Sequence, residues 1–513
     1  MVSLSNKDFQ IKLSKNKDFI IHKKIKGIKI DPINSFLSIV DKNEYSFAYE
    51  SVEGGIHRGR YTICGFDPLL TLKINNKIGN LYRKKNNKFY KIKQSSKNPF
   101  ENLENLIEGL KIKISKNLPP MSSGIFGYLG YEAINYLEEI SKNKKSNNLD
   151  LPDCLLFYPR TLYIYDNHQK DLFIIKAFIK GTYNKSDAKY DNVLSEINND
   201  QNFIISFKDK KNKIDLSKRS KLKTKSNITK KSFFSNIEKS KKYIKSGDIF
   251  QIVPSHRFKM NFKHSATKLY EVLRVTNPSP FMYIFNFPKF NIVGSSPEIL
   301  VRVRKNRVTI RPIAGTRPRG KTKKEDLKNE KDLLNDAKEI SEHMMLLDLG
   351  RNDVGRVVES GTVKVTSSFT IERYSHVMHI VSNVEGELKK DKTLMDALMA
   401  GFPAGTVTGA PKIRAMQIID ELEKTKRGPY AGAVGYFSSM KEMDTCIVLR
   451  TGIVQNKKLY VQAGGGVVYD SKAENEYKET INKSMAVIKA AEIVMGNNQW
   501  SYWYIIMIVL HLI

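Results

Sequence analysis

The pattern that most limits how this chain can fold is the alternation of apolar residues in its first 200 positions. The segments TLYIYD (161–166) and DLFIIKAFI (171–179) carry the two-residue period of strands. Beyond residue 230 the pattern changes. Phe233, Ile237 and Ile244 keep a helical period, Gly247 is placed to end that helix, and IFQIV (249–253) reads as the strand that follows. No self-similarity at solenoid periods is present. A chain of 513 residues can bury one large core or two to three ordinary ones. Strands and helices mixed in this way predict an α+β protein with stacked sheets covered by helices. Four regions are expected: 1–200, a lysine-rich connection at 201–230, a second region at 231–498, and an apolar tail at 499–513.

Charge and cysteine content narrow the class. With 86 Lys+Arg against 53 Asp+Glu, the formal net charge is +33, which invites a nucleic-acid-binding reading. The lysines are instead spread along the chain and travel with Asn and Ile, as a general compositional bias would produce. No arginine-rich arm, zinc-finger spacing or aromatic-basic RNA motif accompanies them. Cys64, Cys154 and Cys446 lie far apart and form no Cys-x-x-Cys pair, which fits a reducing compartment and a cytoplasmic location. The N-terminus lacks the apolar stretch of a secretory signal. The closing WSYWYIIMIVLHLI is 14 residues, shorter than the ~20 a membrane span needs, and receives no role.

Two acidic pairs stand out against this basic background. Glu339 and Glu342, in LNDAKEISEHMMLLDLGRNDVGR (334–356), are three residues apart and so share one face of a helix whose Leu346 and Leu347 face the core. Glu476 and Glu479 repeat the spacing in AENEYKETINKSMAVIKAAEIV. Either pair alone reads equally as a solvated helix face. Brought together, four carboxylates would repel unless a hard divalent cation lay between them, and Mg2+ suits oxygen ligands.

Glycine-rich segments occupy the same half of the chain: RPIAGTRPRG (311–320), GFPAGTVTGAPKIRAMQIIDELE (401–423), RGPYAGAVGYF (427–437) and VQAGGGVVYD (461–470). Each serves equally as a tight turn or as backbone that lets a ligand approach closely. In the second, Pro411 suits the first turn of a helix whose free N–H groups attract anions. None matches the phosphate loop or the dinucleotide fingerprint. Arg450, closing the apolar run CIVLR, is suited to a carboxylate. With Tyr430 and the Gly464–Gly466 amides it would hold a small anion.

Together these segments resemble the chorismate-utilising enzymes, and among them the large subunit of anthranilate synthase. The resemblance runs from YESVEGGIHRGRYTICGFDP (49–68) and GIFGYLGYEAINYLE (124–138) through GDIFQIVPSHRF, NPSPFMYIF and GSSPEIL to RYSHVMHIVSNVEGEL and AGGGVVYDSKAENEYKET. It implies largely antiparallel stacked sheets with a cleft between two subdomains. It also implies a Mg2+-dependent lyase that converts chorismate and ammonia to anthranilate and pyruvate, the first committed step towards tryptophan. Glu339, Glu342, Glu476 and Glu479 are then the Mg2+ ligands, with the metal on the ring carboxylate. Gly315, Thr316, Tyr430, Arg450, Gly464, Gly465 and Gly466 are implied to bind substrate, and Thr406 and His379 to lie beside it. Glu298 would pass a proton to the departing hydroxyl, and His379 would assist the loss of pyruvate.

Sibling enzymes that add water to chorismate to form isochorismate or salicylate carry Lys where this chain has Gln251. Aminodeoxychorismate synthases use a nucleophilic Lys where this chain has Ala314. Both substitutions weigh against those activities. No cysteine here sits in a glutaminase elbow, so a separate glutamine amidotransferase subunit is expected, in the heterotetramer common to the family. Feedback inhibition by tryptophan is implied at Ser51, Asn277, Pro278, Pro280, Met282, Gly294 and Cys446, next to Glu50. In that region Ala48-Tyr49 replace the family's two leucines.

Overall fold

The computed structural model describes residues 2–497, apart from 51–58, 96–97, 110–111, 113, 116, 141–144, 147–148, 184–187, 208–213 and 375–376. Ser51, part of the lysine-rich connection and the apolar tail therefore lie outside the described residues. Among the described residues, no helix is long and apolar enough to cross a membrane.

Antiparallel pairing links strands from both halves of the chain into one hydrogen-bonded network. At its centre the long strand Tyr61–Asn75 pairs with Cys154–Asp166 along one edge, and with Ser46–Glu50 and Ile78–Lys85 along the other. The predicted strands at 161–166 and 171–179 are present as Cys154–Asp166 and Asp171–Phe178, paired with each other. From Ser46–Glu50 the ladder passes to Phe281–Phe287, Phe290–Ser296, Thr451–Gln455, Lys458–Gly464 and Ser255–Asn261. From Cys154–Asp166 it passes through Gly124–Leu129 to Ala433–Ser438, Met443–Ile447 and Ile299–Arg304. The expected boundary at residue 200 falls inside the helix Tyr190–Ser206, and the strands before and after it share one ladder.

The two arms meet across an aromatic core. Phe47 stacks on Phe126 with ring centroids 4.4 Å apart, and Phe285 lies 5.6 Å from Phe47. Rings of this size supply much of the apolar area that holds two sheets face to face. Helices cover the outside. Lys230–Lys245 buries Phe233 and Ile237 and ends before Gly247, whose φ of 81° is the left-handed turn that glycine tolerates. IFQIV contributes only Gln251–Ile252 as strand, paired with Gly409–Ala410.

Two helices position the acidic pairs. Ala337–Gly355 starts where the Asp336 carboxylate accepts from the N–H groups of Lys338 and Glu339, a cap that satisfies otherwise orphaned donors. Leu346 and Leu347 are buried on its inner face, as the spacing predicts. Ala473–Asn497 packs against the strand Lys458–Gly464 and the helix Ala266–Thr276. All three cysteines are free and buried.

Candidate active site

The predicted residues gather where the strand ends at Gly464 and the two acidic helices begin. Gly465 and Gly466 lie between the helices. A Cβ on Gly465 would stand 3.0 Å from Glu476 Oε2, and one on Gly466 would stand 2.8 Å from Gln251 Nε2 and 3.9 Å from Glu342 Oε1. Side chains here would fill the space between the acidic pairs, which is the physical reason for glycine at both positions. Gln251 Nε2 donates to Glu342 Oε1 at 3.0 Å, while the Gln251 carbonyl oxygen is buried without a partner. Ser471 donates to Glu476 Oε1 at 2.7 Å, leaving Glu476 Oε2 buried and unpartnered.

The four glutamates expected as Mg2+ ligands sit as one pair at the start of each of the two helices. Among the described residues, no group of three His, Cys, Asp or Glu side chains is arranged to hold a metal ion. Within each pair the carboxylates repel, and each pair has one basic partner. Arg317 donates to Glu339 at 3.1 Å, and Lys483 pairs with Glu479 at 2.6 Å. The donor set still suits Mg2+, because that ion takes few protein carboxylates and keeps places for water and substrate oxygens. The orphaned Glu476 Oε2, facing Glu342 across two glycines, is the observation that fits it.

On the facing wall, Glu298 precedes the strand Ile299–Arg304, with its backbone carbonyl held by the Ile447 N–H at 3.0 Å. Thr406 Oγ1 donates to Glu298 Oε1 at 2.8 Å. Burial pushes the Glu298 carboxyl up to about 7, against the opposing pull of Thr406, Lys483 and Arg450. Thr406 lies in the turn Gly405–Val407, and Gly405 allows that turn to approach the acidic helix, since a Cβ there would meet Leu349 at 2.1 Å. Pro411 caps the following helix, Lys412–Leu422, rather than entering its first turn. Beside that helix start, Lys412 pairs with Asp353 at 2.7 Å, both buried. The pair ties the Thr406 segment to the acidic helix.

His379, on the strand Val377–Glu387, has Nδ1 2.8 Å from the Gly315 carbonyl and 3.1 Å from Thr316 Oγ1. A carbonyl only accepts, so Nδ1 carries the proton and Nε2 keeps its lone pair. Burial lowers the ring to about 4, so it is neutral at physiological pH. Gly315 has a φ of 67°. Arg450 sits between two strands rather than closing one, and its φ of 47° is a conformation that non-glycine residues seldom hold without a reason. Tyr430 is buried beside Arg427 and against Gly464, where an added Cβ would lie 2.9 Å from the Tyr430 hydroxyl. Ala314, on the strand Ile313–Pro318, is buried.

Lys483 belongs to the site and was not singled out from the sequence. Its Nζ lies 3.3 Å from the Gly464 carbonyl, and its charge acts on Glu298, His379 and Glu476. The signal was present: Lys483 is four residues past Glu479 and seven past Glu476, on the same helical face.

The residues implied in tryptophan binding lie along the paired strands Phe281–Phe287 and Phe290–Ser296 and the segments beside them. Tyr283 opposes Gly294 in register, whereas Met282 opposes Ser295, so strand alternation turns Met282 the other way, into a separate buried cluster. Asn277 Nδ2 donates to Ser295 Oγ at 2.8 Å on that side. Pro278 and Pro280 lie in the link to the strand Phe281–Phe287, where the intervening Ser279 is buried against Ser295. Cys446 belongs with Tyr283 and Tyr49 instead. Glu50 accepts from Tyr270 and Arg274 on the helix Ala266–Thr276.

The antiparallel fold thus brings glycine backbone, carboxylates and cations from both acidic helices and the strands beside them close together. The chain belongs to the chorismate binding enzyme family, whose model matches residues 38–489. It is 44% identical over 468 residues to anthranilate synthase component 1 of Cereibacter sphaeroides, covering 90% of this chain and 92% of that protein. The Aquifex aeolicus protein of the same name is 38% identical over 478 residues, covering 90% and 92%. The crystal structure of anthranilate synthase component I from Streptococcus pneumoniae superposes with a TM-score of 0.72 at 36% identity, covering 85% of this chain and 95% of that one. The menaquinone-specific isochorismate synthase MenF of Escherichia coli shares the fold, with a TM-score of 0.67 at 17% identity over 94% and 98% of the two chains.

Proposed function

We propose that this chain is the chorismate-processing component of an anthranilate synthase, working in the cytoplasm on ammonia released by a separate glutaminase component. The observation that carries the reading is a buried carboxyl oriented by Thr406 and an imidazole whose Nδ1 is fixed on the Gly315 carbonyl, close to the same set of cations. Glu298 is held near 7 and His379 is held neutral by a fixed Nδ1 proton. Tyr430, Arg450, Lys483 and the Gly465–Gly466 backbone supply the anion-binding side for the pyruvyl carboxylate. Glu339, Glu342, Glu476 and Glu479 would hold Mg2+, which when bound offsets the ring carboxylate's charge and orients the ring.

Ammonia adds to C2 of chorismate, and protonated Glu298, oriented by Thr406, gives its proton to the C4 hydroxyl, which leaves as water. The ammonium nitrogen formed at C2 loses a proton. In the second stage His379 Nε2 removes the C2 hydrogen and the C3–O bond breaks. The enolpyruvyl group takes a proton at its methylene carbon to leave as pyruvate, and the ring becomes aromatic. General acid and base help of this kind contributes about 10²–10⁴-fold each. Gln251 is tied to Glu342 through its amide and cannot take a proton from water, so the ammonia route is favoured over isochorismate formation. Ala314 offers no nucleophile for the aminodeoxychorismate route.

The test is incubation of the purified chain with chorismate, Mg2+ and ammonium at alkaline pH while anthranilate fluorescence is followed. Fluorescence that depends on all three, and is lost in Glu342→Ala or Glu479→Ala with the fold intact, is expected. Isochorismate or 4-aminodeoxychorismate as the sole product would overturn the reading. Tryptophan as inhibitor and a tetramer of two large and two small subunits belong to the same proposal, and are read from inhibition assays and from the mass of the reconstituted complex.

A further inference from the structure

Arg317 makes contacts that neither substrate binding nor proton transfer uses. It follows Gly315 and Thr316 on the strand Ile313–Pro318, and its guanidinium spans three carboxylates. Nε donates to Asp332 at 2.6 Å, Nη2 to Asp336 at 2.7 Å and Nη1 to Glu339 at 3.1 Å. Asp332 lies on the helix Lys323–Asn335, and Asp336 caps the helix that carries Glu339. Only one Glu339 oxygen is engaged. The other, Oε2, abuts Gly315, where a Cβ would stand 3.2 Å away.

Two glutamates three residues apart and partly removed from water repel each other, and some cation must offset that repulsion when no metal is bound. Arg317 is the cation in contact. Lys483 plays a similar part for Glu479, but both of those side chains are about half exposed (49% and 47%), where an ion pair is weakly held. Arg317 and Glu339 are 21% and 25% exposed, so theirs is the contact with consequence. A guanidinium on one carboxylate oxygen and a divalent ion on the same group repel, and each weakens the other's hold.

We propose that Arg317 is the resident counter-cation of the Glu339–Glu342 pair: it holds Glu339 in the metal-free enzyme, and an incoming divalent ion competes with it for that carboxylate. This inference rests on the metal-site reading above. It gives the enzyme a folded, charge-balanced acidic corner before metal arrives, and it sets metal affinity below what the carboxylates alone would provide. Asp332 and Asp336 keep the guanidinium beside the site after Glu339 turns to the ion.

The experiment titrates the full-length chain with Mn2+ by electron paramagnetic resonance of the free ion, and with Mg2+ by calorimetry, in the wild type, Arg317→Gln and Arg317→Lys. Arg317→Gln is expected to bind Mn2+ about three- to tenfold more tightly, the range for losing one partly screened charge-assisted contact. Its metal-free form is expected to melt at lower temperature and to recover more on adding Mg2+ than the wild type does. Arg317→Lys keeps the charge but not the three-way bridge, and should fall between them; it carries the test if the Gln variant does not fold. Unchanged or weaker Mn2+ binding in a folded variant overturns the competition. A wild-type chain that binds no Mn2+ at all overturns the metal reading itself, which separates the two failures.

Discussion

Glu298→Gln makes a demand on stability that is independent of turnover. In the folded chain the carboxyl sits at about 7 instead of 4.5, chiefly because burial disfavours its charged form. A raised acid contributes no penalty while it is protonated in both states. As pH climbs past about 4.5, the unfolded chain releases this proton while the folded one keeps it, so folding loses ground until about pH 7 and no further. The rise from 4.5 to about 7 corresponds to about 3 kcal/mol. Gln has nearly the same shape, keeps an oxygen to accept from Thr406, and cannot ionise. The variant should therefore match the wild type in urea unfolding near pH 4 and exceed it by about 3 kcal/mol near pH 8.5, while anthranilate formation falls by at least about a hundredfold. Equal stability of the two proteins at the alkaline pH would refute the claim that this carboxyl is strained by burial, whatever happened to activity.

The same carboxyl predicts that kcat/KM, measured at constant free ammonia, declines above about pH 7, whereas His379, lowered to about 4, leaves no acid limb in the neutral range. Lys483→Met removes one of the two cations that hold Glu298 down, so the alkaline limb should move to higher pH and KM for chorismate should rise; an unmoved limb would remove Lys483 from the site. Lys412→Met leaves Asp353 buried and uncompensated and should cost about 3–5 kcal/mol in chemical denaturation, most of it restored by adding Asp353→Leu. Gly294→Ala would drive a methyl to 2.2 Å from the Tyr283 ring and should destabilise by about 1–3 kcal/mol, read from the thermal midpoint.

What the sequence revealed and what it concealed follow from the range of the forces involved. Period and spacing are local, so the strands at 161–166 and 171–179, the helix ending before Gly247 and the shared face of Glu339 and Glu342 were all legible. Pairing between distant strands is not local. Nothing in SFAYE or FMYIFNF states that they lie side by side, and that pairing is what joins regions expected to be separate. The register that puts Met282 opposite Ser295 and Tyr283 opposite Gly294 is likewise not stated by either segment alone. Lys483 was legible only through its helical spacing from Glu476 and Glu479, whereas Arg317 gains meaning from carboxylates that the fold brings to it. As one of 86 basic residues, Arg317 carries no signal of its own.

A basic chain does not by that fact neutralise its acidic pairs. A surplus of lysine spread over the surface does little for carboxylates in a recess, because exposed charges are screened over about 8–10 Å at physiological salt. The charges that matter are the few close to them: Arg317 on Glu339, the more exposed and weaker Lys483 on Glu479, Arg450 near Glu298, and Gln251 with an amide in place of a cation beside Glu342. Glu342 and Glu476, the two glutamates with no basic side chain bonded to them, flank Gly465 and Gly466. The outer members of the pairs each carry a basic partner from the protein, and the inner members carry none, so under the proposed metal reading an ion would meet Glu342 and Glu476 directly and would have to compete for Glu339 and Glu479.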